Sequence, residues 1–141
     1  MTARFYEPFA EDLTQPLNNL ATGNVASIRV ALLDSTYTFS AAHQFRSATG
    51  FVGATVLTSP VVAGISVTSG LWNASNVVFT GVPATIGEIV TQYVFYEDTG
   101  SATTDRLIWY DNEAPELPLT LNGANVTLDL TNGIARIRGT V

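Results

Sequence analysis

From Val25 onward, short apolar segments alternate with polar turn residues, and the first of them, Ile28–Leu32, has the period-two pattern of a strand. Later segments of the same kind are Ala54–Thr58, Val61–Thr68, Asn76–Thr80, Glu88–Glu97, Asp105–Tyr110, Leu117–Leu121, Val126–Leu130 and Ile134–Arg138. Many short strands at roughly eight-to-twelve-residue spacing are typical of antiparallel sandwiches and barrels. The sequence therefore predicts an all-β fold, an antiparallel β-sandwich or a jelly-roll-like barrel.

Asn-Gly dipeptides separate the last three of these segments, at Asn122-Gly123 and Asn132-Gly133. Asn-Gly favours a two-residue hairpin turn, since both central positions of that turn need positive φ. We therefore expect the C-terminal strands to follow one another as hairpins. Ser40–Arg46 lacks β-branched residues and begins with a good N-cap, which predicts a single helical turn.

The N-terminal residues have a different period. Apolar side chains recur at the spacing of one helix face, at Phe5, Phe9, Leu13, Leu17 and Leu20. Pro8 fits a first helical turn and Pro16 would end the helix, so a short helix is expected over residues 8–14. We divide the chain into an N-terminal arm, residues 1–24, and a single β domain, residues 25–141. The arm is expected to serve either as a lid on the β core or as a contact with a neighbouring subunit.

Two strands are apolar on both faces. In one, Tyr93 and Phe95 alternate with Val94 and Tyr96; in the other, Leu107 and Trp109 alternate with Ile108 and Tyr110. A sheet with one face in water should alternate apolar and polar residues, so both faces are expected to be covered. The outer cover is predicted to be the N-terminal helix or another copy of the chain.

Charge excludes several partners. The 141-residue chain is only 13% charged, has a net charge of -6, and contains neither Lys nor Cys. Nucleic acids and anionic membranes attract basic proteins, so neither is an expected partner. Without Cys there is no disulfide or zinc–thiolate site. Residues 1–12 do not resemble a signal peptide, and no apolar run has the ~20 residues of a membrane helix, which predicts a soluble, uncleaved domain.

Catalytic motifs are not found in the sequence. His43 is the only histidine, and Gly64–Thr68 fails the Gly-x-Ser-x-Gly pattern at its last position. Most acids lie at predicted strand ends, where they are ordinary solubilising residues. We therefore predict no enzymatic activity, no catalytic residue, no cofactor and no metal. A carbohydrate-binding surface that uses Trp72 or Trp109 for stacking is a less favoured alternative.

Several segments, taken in order, resemble a family of small virion proteins of tailed bacteriophages. They are Ile28–Asp34 (IRVALLD), Tyr37–Phe39 (YTF), Gly70–Phe79 (GLWNASNVVF), Tyr96–Gly100 (YEDTG), Leu107–Asp111 (LIWYD) and the turn Asn122-Gly123. The similarity covers about residues 25–138. Arg29 stands where the family usually has Lys, and Asn73 and Asn76 replace acids, so no ion-binding role follows from the resemblance.

The resemblance implies a head decoration, or cement, protein on the capsid exterior, made in the bacterial cytoplasm. Its implied partners are the major capsid protein and other copies of itself, with a homotrimer as the expected assembly. The alternative is a tail-, neck- or baseplate-associated adaptor or fibre protein. The residues expected at contacts are Phe5, Phe9, Leu13, Tyr96 and Trp109.

Overall fold

The computed structural model describes residues 3–8, 27–82 and 88–136. Within these residues a short helix, α1, covers Phe51–Ala54. The strands are β1 (Ala3–Phe5), β2 (Ile28–Leu33), β3 (Thr55–Thr58), β4 (Ser66–Thr68), β5 (Leu71–Asn73), β6 (Val77–Phe79), β7 (Ile89–Val90), β8 (Gln92–Glu97), β9 (Leu107–Asp111), β10 (Leu119–Thr120), β11 (Val126–Leu128) and β12 (Ala135–Arg136). The all-β class is confirmed, and every strand pair is antiparallel.

A five-stranded sheet in the order β1-β9-β8-β2-β3 forms the centre of the molecule. The two central strands, β2 and β8, pair from Ile28 opposite Glu97 to Leu33 opposite Gln92. Both are buried along nearly their whole length. The sheet is open, with β1 and β3 at its edges, so the fold resembles a sandwich more than a closed barrel.

One face of the central sheet packs against small sheets formed by the later strands. These are β12-β5-β4, β11-β6 and β10-β7. The shared core joins Val30 and Phe95 of the central sheet to Trp72, Phe79 and Leu128 of the small sheets. Because each layer pairs most of its own backbone groups, side chains of this core can be almost entirely apolar. We call this side the sandwich face.

The opposite face of the central sheet is covered by the segment of residues 34–54, which contains α1. Phe51 and Tyr37 of that segment pack with Val94 and Tyr96 of β8. Tyr6, which follows β1, is fully buried in the same cluster. We call this side the tyrosine face. The two-faced strands are thus covered inside the chain by this irregular segment and Tyr6, and the described residues do not require another copy to cover them.

A β-bulge alters the predicted faces of β9. Phe95 pairs with Trp109 and Tyr96 pairs with Leu107, which leaves Ile108 as an extra residue. Ile108 and Trp109 therefore both pack on the sandwich face. Leu107 and Tyr110 pack on the tyrosine face. The simple alternation expected from sequence, with Leu107 and Trp109 on one side, is wrong because the bulge breaks the period of two.

The Asn-Gly hairpins are also corrected. β10, β11 and β12 pair with β7, β6 and β5 respectively, and not with each other. Gly123 and Gly133 have positive φ, but neither preceding Asn does, so the turns lack the geometry of a tight hairpin. The tight hairpin instead joins β4 to β5 through Ser69 and Gly70, with φ of 51° and 76°.

The N-terminal expectations are met only in part. Phe5, assigned to a helix face from its spacing, lies in strand β1 and pairs with Trp109. Apart from Pro8, the helix predicted over residues 8–14 lies outside the described residues. Ser40–Arg46 forms a turn closed by a hydrogen bond from His43 N to Ser40 O, at 3.1 Å, and not a helical turn. The short helix follows later, at α1.

Candidate functional site

The residues predicted to make contacts are mostly used inside the chain. Tyr96 is 3% exposed and belongs to the tyrosine face, so it is unavailable to a partner. Phe5 and Trp109 are partly buried and contact each other edge to face, with ring centroids 4.9 Å apart. Phe9 and Leu13 lie outside the described residues. Of the five predicted contact residues, the described part of the chain therefore leaves only Phe5 and Trp109 partly exposed.

Trp72 does not offer a sugar-stacking surface. Its side chain is fully buried, and its ring lies 5.4 Å from that of Phe95. A platform for a sugar needs an exposed ring face, so this version of the carbohydrate hypothesis is wrong. Trp109 keeps part of its surface exposed, although its indole N–H is buried and no described residue accepts a hydrogen bond from it.

The turn that carries the family-like sequence Tyr96–Gly100 is held by a buried carboxylate. Asp105 is fully buried and accepts hydrogen bonds from Arg46 Nε at 2.7 Å and from the backbone and hydroxyl of Thr99 at 2.7 and 2.9 Å. Burial alone would raise the pKa of Asp105, but these hydrogen bonds and the charge of Arg46 outweigh it and lower the pKa. The guanidinium of Arg46 also lies over the ring of Tyr96, 4.8 Å from its centroid.

Asp98, in the same turn, connects it to the edge of the sheet. Its carboxylate accepts hydrogen bonds from Arg29 Nε at 2.6 Å and from Gly100 N at 3.0 Å. Arg29 also donates to the carbonyl of Ser59, at 2.8 Å. The polar residues of this turn therefore fix the positions of β2, β8 and the segment after β3, which is a structural role.

The only histidine is part of a chain of hydroxyl groups in the tyrosine face. His43 Nδ1 lies 2.8 Å from the hydroxyl of Tyr37, which lies 3.0 Å from the hydroxyl of buried Tyr6. Burial lowers the pKa of His43 and raises that of Tyr37 to about 12. Both tyrosines stay protonated near neutral pH, so the arrangement links the N-terminal segment to the turn at residues 40–43.

An open cleft of about 560 Å³ lies beside β11 and carries three acids, Asp111, Glu116 and Asp129. Their hydrogen bonds are largely to the chain itself. Glu116 accepts one from Asp129 N at 2.9 Å, and Asn76 accepts one from Leu130 N at 2.7 Å. These side chains therefore hold the end of β11 in place. This grouping was not predicted from the sequence, because Asn76 and Asp129 are far apart along the chain.

The carboxyl groups in the cleft have different environments. Burial raises the pKa of Asp111, while a hydrogen bond from Tyr93, at 3.0 Å, opposes that effect. Hydrogen bonds from Thr131 lower the pKa of exposed Asp129. Glycoside hydrolysis typically uses two carboxyl groups that face one bound sugar. Here each group is instead hydrogen-bonded to its own neighbouring residues.

Within residues 3–8, 27–82 and 88–136, no group of three or more His, Asp or Glu side chains could hold a metal ion. Within those ranges there is also no helix that is long and apolar enough to cross a bilayer.

A small apolar surface lies beside β6. Val61 and Val78 are 49% and 42% exposed, and both line a shallow cavity of about 210 Å³. Pro60, Val62, Ala63, Asn76 and Val77 complete the lining, so it contains no charged side chain. We call this the valine surface. Exposed apolar groups that lie together are typical of protein contacts.

No family model, curated protein or solved structure matches this chain.

Proposed function

We propose that this chain is a non-enzymatic structural protein of a tailed-bacteriophage virion, and specifically a decoration (cement) protein on the outer surface of the capsid. The supporting observation is the turn Tyr96–Gly100, in which Thr99 donates two hydrogen bonds to buried Asp105 and Asp98 accepts one from Arg29. The residues that carry this part of the resemblance hold the fold together, which is compatible with a structural role.

The physical task of a cement protein suits a rigid, weakly charged β domain. It binds the assembled shell better than the free subunits, so it stabilises the shell by mass action. Its partners are then the major capsid protein and, in the expected trimer, other copies of itself. We propose that the valine surface contributes to the contact with the shell, since its lining carries no charge.

Immunogold electron microscopy of intact particles, from a lysate that contains the protein, tests the proposal. Label spread over the heads is the expected result. Label at one vertex or along the tail would instead favour the adaptor or fibre alternative. Unlabelled particles, with all of the protein left in solution, would contradict both assignments.

A matched pair of variants tests the contact surface. Val61→Asp places a charge in the valine surface and is expected to weaken binding to particles on the order of tenfold or more. Val52→Asp is the control, because Val52 is 56% exposed on α1 and does not line that cavity. Co-sedimentation with particles measures both. Equal binding by the two variants would show that the valine surface is not the contact with the shell. The decoration role itself would still be tested by the immunogold experiment.

A further inference from the structure

The chain contains two Asn-Gly pairs, Asn122-Gly123 and Asn132-Gly133, which have the same local chemistry. In such a pair, the backbone nitrogen of Gly can attack the side-chain carboxamide of Asn, because Gly has no Cβ to block the approach. The N–Cγ bond forms, the Cγ–Nδ2 bond breaks, and the nitrogen leaves as ammonia after taking up the proton lost by the attacking nitrogen. Water then opens the cyclic imide to aspartate or isoaspartate.

This reaction has structural requirements. The Gly N–H must be free to lose its proton, and the backbone must be able to bring that nitrogen to Cγ. A backbone hydrogen bond from the Gly nitrogen, or tight packing around the Gly, therefore slows ring closure. The two pairs differ in both respects.

The pair at Asn132 is held on both sides. Gly133 N donates a hydrogen bond to Leu130 O at 2.9 Å, and Ile134 N donates one to Trp72 O at 2.7 Å. Gly133 also packs so closely on Leu71 that an added Cβ would lie 2.8 Å from the Leu71 side chain. Ring closure here requires breaking a hydrogen bond and shifting the backbone against a packed side chain.

The pair at Asn122 lies in a turn, residues 122–125, in which every residue is exposed. Asn122 Oδ1 accepts a hydrogen bond from Ala124 N at 3.0 Å, which draws electron density from the carboxamide carbon. Among the described residues, none accepts a hydrogen bond from Gly123 N. Within the described part of the chain, the Gly123 nitrogen is therefore not held in a hydrogen bond, and the Asn122 carboxamide is polarised by its hydrogen bond from Ala124 N.

We propose that Asn122 is a site of spontaneous deamidation and that the fold protects Asn132. The product at position 122 carries a carboxylate, so each event makes the net charge of the chain more negative by one. A protein that persists in an assembled particle would acquire this change with time.

Trypsin cleaves after Arg, so deamidation creates no new cleavage site, and it releases one fragment, Leu107–Arg136, that contains both Asn122 and Asn132. The full chain is incubated folded in mildly alkaline buffer, and this fragment is followed by tandem mass spectrometry for replacement of the amide NH2 by OH. Fragment ions assign the change to Asn122 or to Asn132 and distinguish both from Asn112 and Asn125. We expect deamidation at Asn122 to be on the order of fivefold faster than at Asn132, the factor that one net hydrogen bond represents.

Two further measurements show whether the fold is responsible. In denaturant the two rates should converge, because the local sequences are chemically alike. A fivefold difference that persists in the unfolded chain would overturn the proposal, as would equal rates in the folded chain. Leu71→Ala should raise the rate at Asn132, because Gly133 packs on Leu71, and should leave the rate at Asn122 unchanged.

Discussion

The two faces of the central sheet are buried in different ways. The sandwich face packs against other strands through Trp72, Phe79 and Phe95, with few polar atoms in the contact. The tyrosine face is covered by the irregular segment of residues 34–54 and contains four tyrosines, Tyr6, Tyr37, Tyr96 and Tyr110. One sheet thus has an apolar cover on one side and a hydrogen-bonded cover on the other.

The backbone explains this difference. Strands bond to one another, so they bring few unpaired N–H and C=O groups into a core, whereas an irregular segment brings several. On the tyrosine face, buried Gln92 meets that need. Its side-chain nitrogen donates to Asp34 O at 2.7 Å and to Tyr37 O at 3.0 Å, and its oxygen accepts from Tyr110 Oη at 2.7 Å. An irregular cover over a sheet therefore requires polar side chains in precise places.

The largest effect should come from opening a cavity in the sandwich face. Trp72→Ala removes the largest fully buried side chain and is expected to lower the free energy of unfolding by about 3–5 kcal/mol. Urea unfolding followed by circular dichroism measures the change. Val67→Ala, at an exposed position of the adjacent strand β4, is the control and should cost far less. A similar loss in both variants would show that burial in this core is not what stabilises the sheet.

A smaller effect is expected from the tyrosine face. Gln92→Leu introduces an apolar side chain of similar size and leaves the Asp34 and Tyr37 carbonyls and the Tyr110 hydroxyl without this partner. The expected loss is about 2 kcal/mol, the cost of buried unsatisfied groups. The exposed Gln44→Leu serves as the control and should change stability by less than about 0.5 kcal/mol. If Gln92→Leu is neutral or stabilising, the cover does not depend on polar side chains.

The smallest effect should be a dependence on pH. Burial lowers the pKa of His43 below its ordinary value of 6.5, so the unfolded chain binds the proton more readily than the folded chain. The free energy of unfolding should therefore decrease as the pH falls from 6.5 towards the folded pKa. Urea midpoints at about pH 7.5 and about pH 5 measure this for the wild-type chain and for His43→Asn.

The variant should lose less stability than the wild type over that range. Asp111 has a raised pKa and contributes with the opposite sign, but it is common to both proteins and cancels in the comparison. The opposite ranking, with the variant more sensitive to acid, would show that protonation of His43 does not weaken the tyrosine face.

Sequence patterns located most of the strands correctly, because the period of two and the turn residues are local properties. The segments expected at residues 54–58, 76–80, 88–97 and 105–110 each contain a strand in the structure. Strand β5 was missed because Leu71–Asn73 is too short to show a period of two. The pair Ser69-Gly70 before β5 was the sequence signal that could have indicated a hairpin turn there, and both residues adopt positive φ in the structure.

The candidate site was much less predictable. Asp105 looked like an ordinary acid at a strand end, yet it is fully buried with Arg46, which is 59 residues away along the chain. Tyr96 was predicted to be a contact residue because it lies on a strand that is apolar on both faces. The sequence does not show which part of the chain covers that strand. Such partnerships are contacts between distant residues, and no local pattern encodes them.

The sequence by itself determined the class of the fold, because alternating apolar residues and frequent turns can bury their surface only as layered strands. Only the tertiary structure decided which strands pair, as β1 with β9 and β5 with β12, and that the C-terminal strands do not form hairpins with each other. It also decided that residues 34–54 cover the outer face. The physical reason is that periodicity fixes which side of a strand is buried, whereas the partner that buries it is selected by packing and backbone hydrogen bonding across the whole chain.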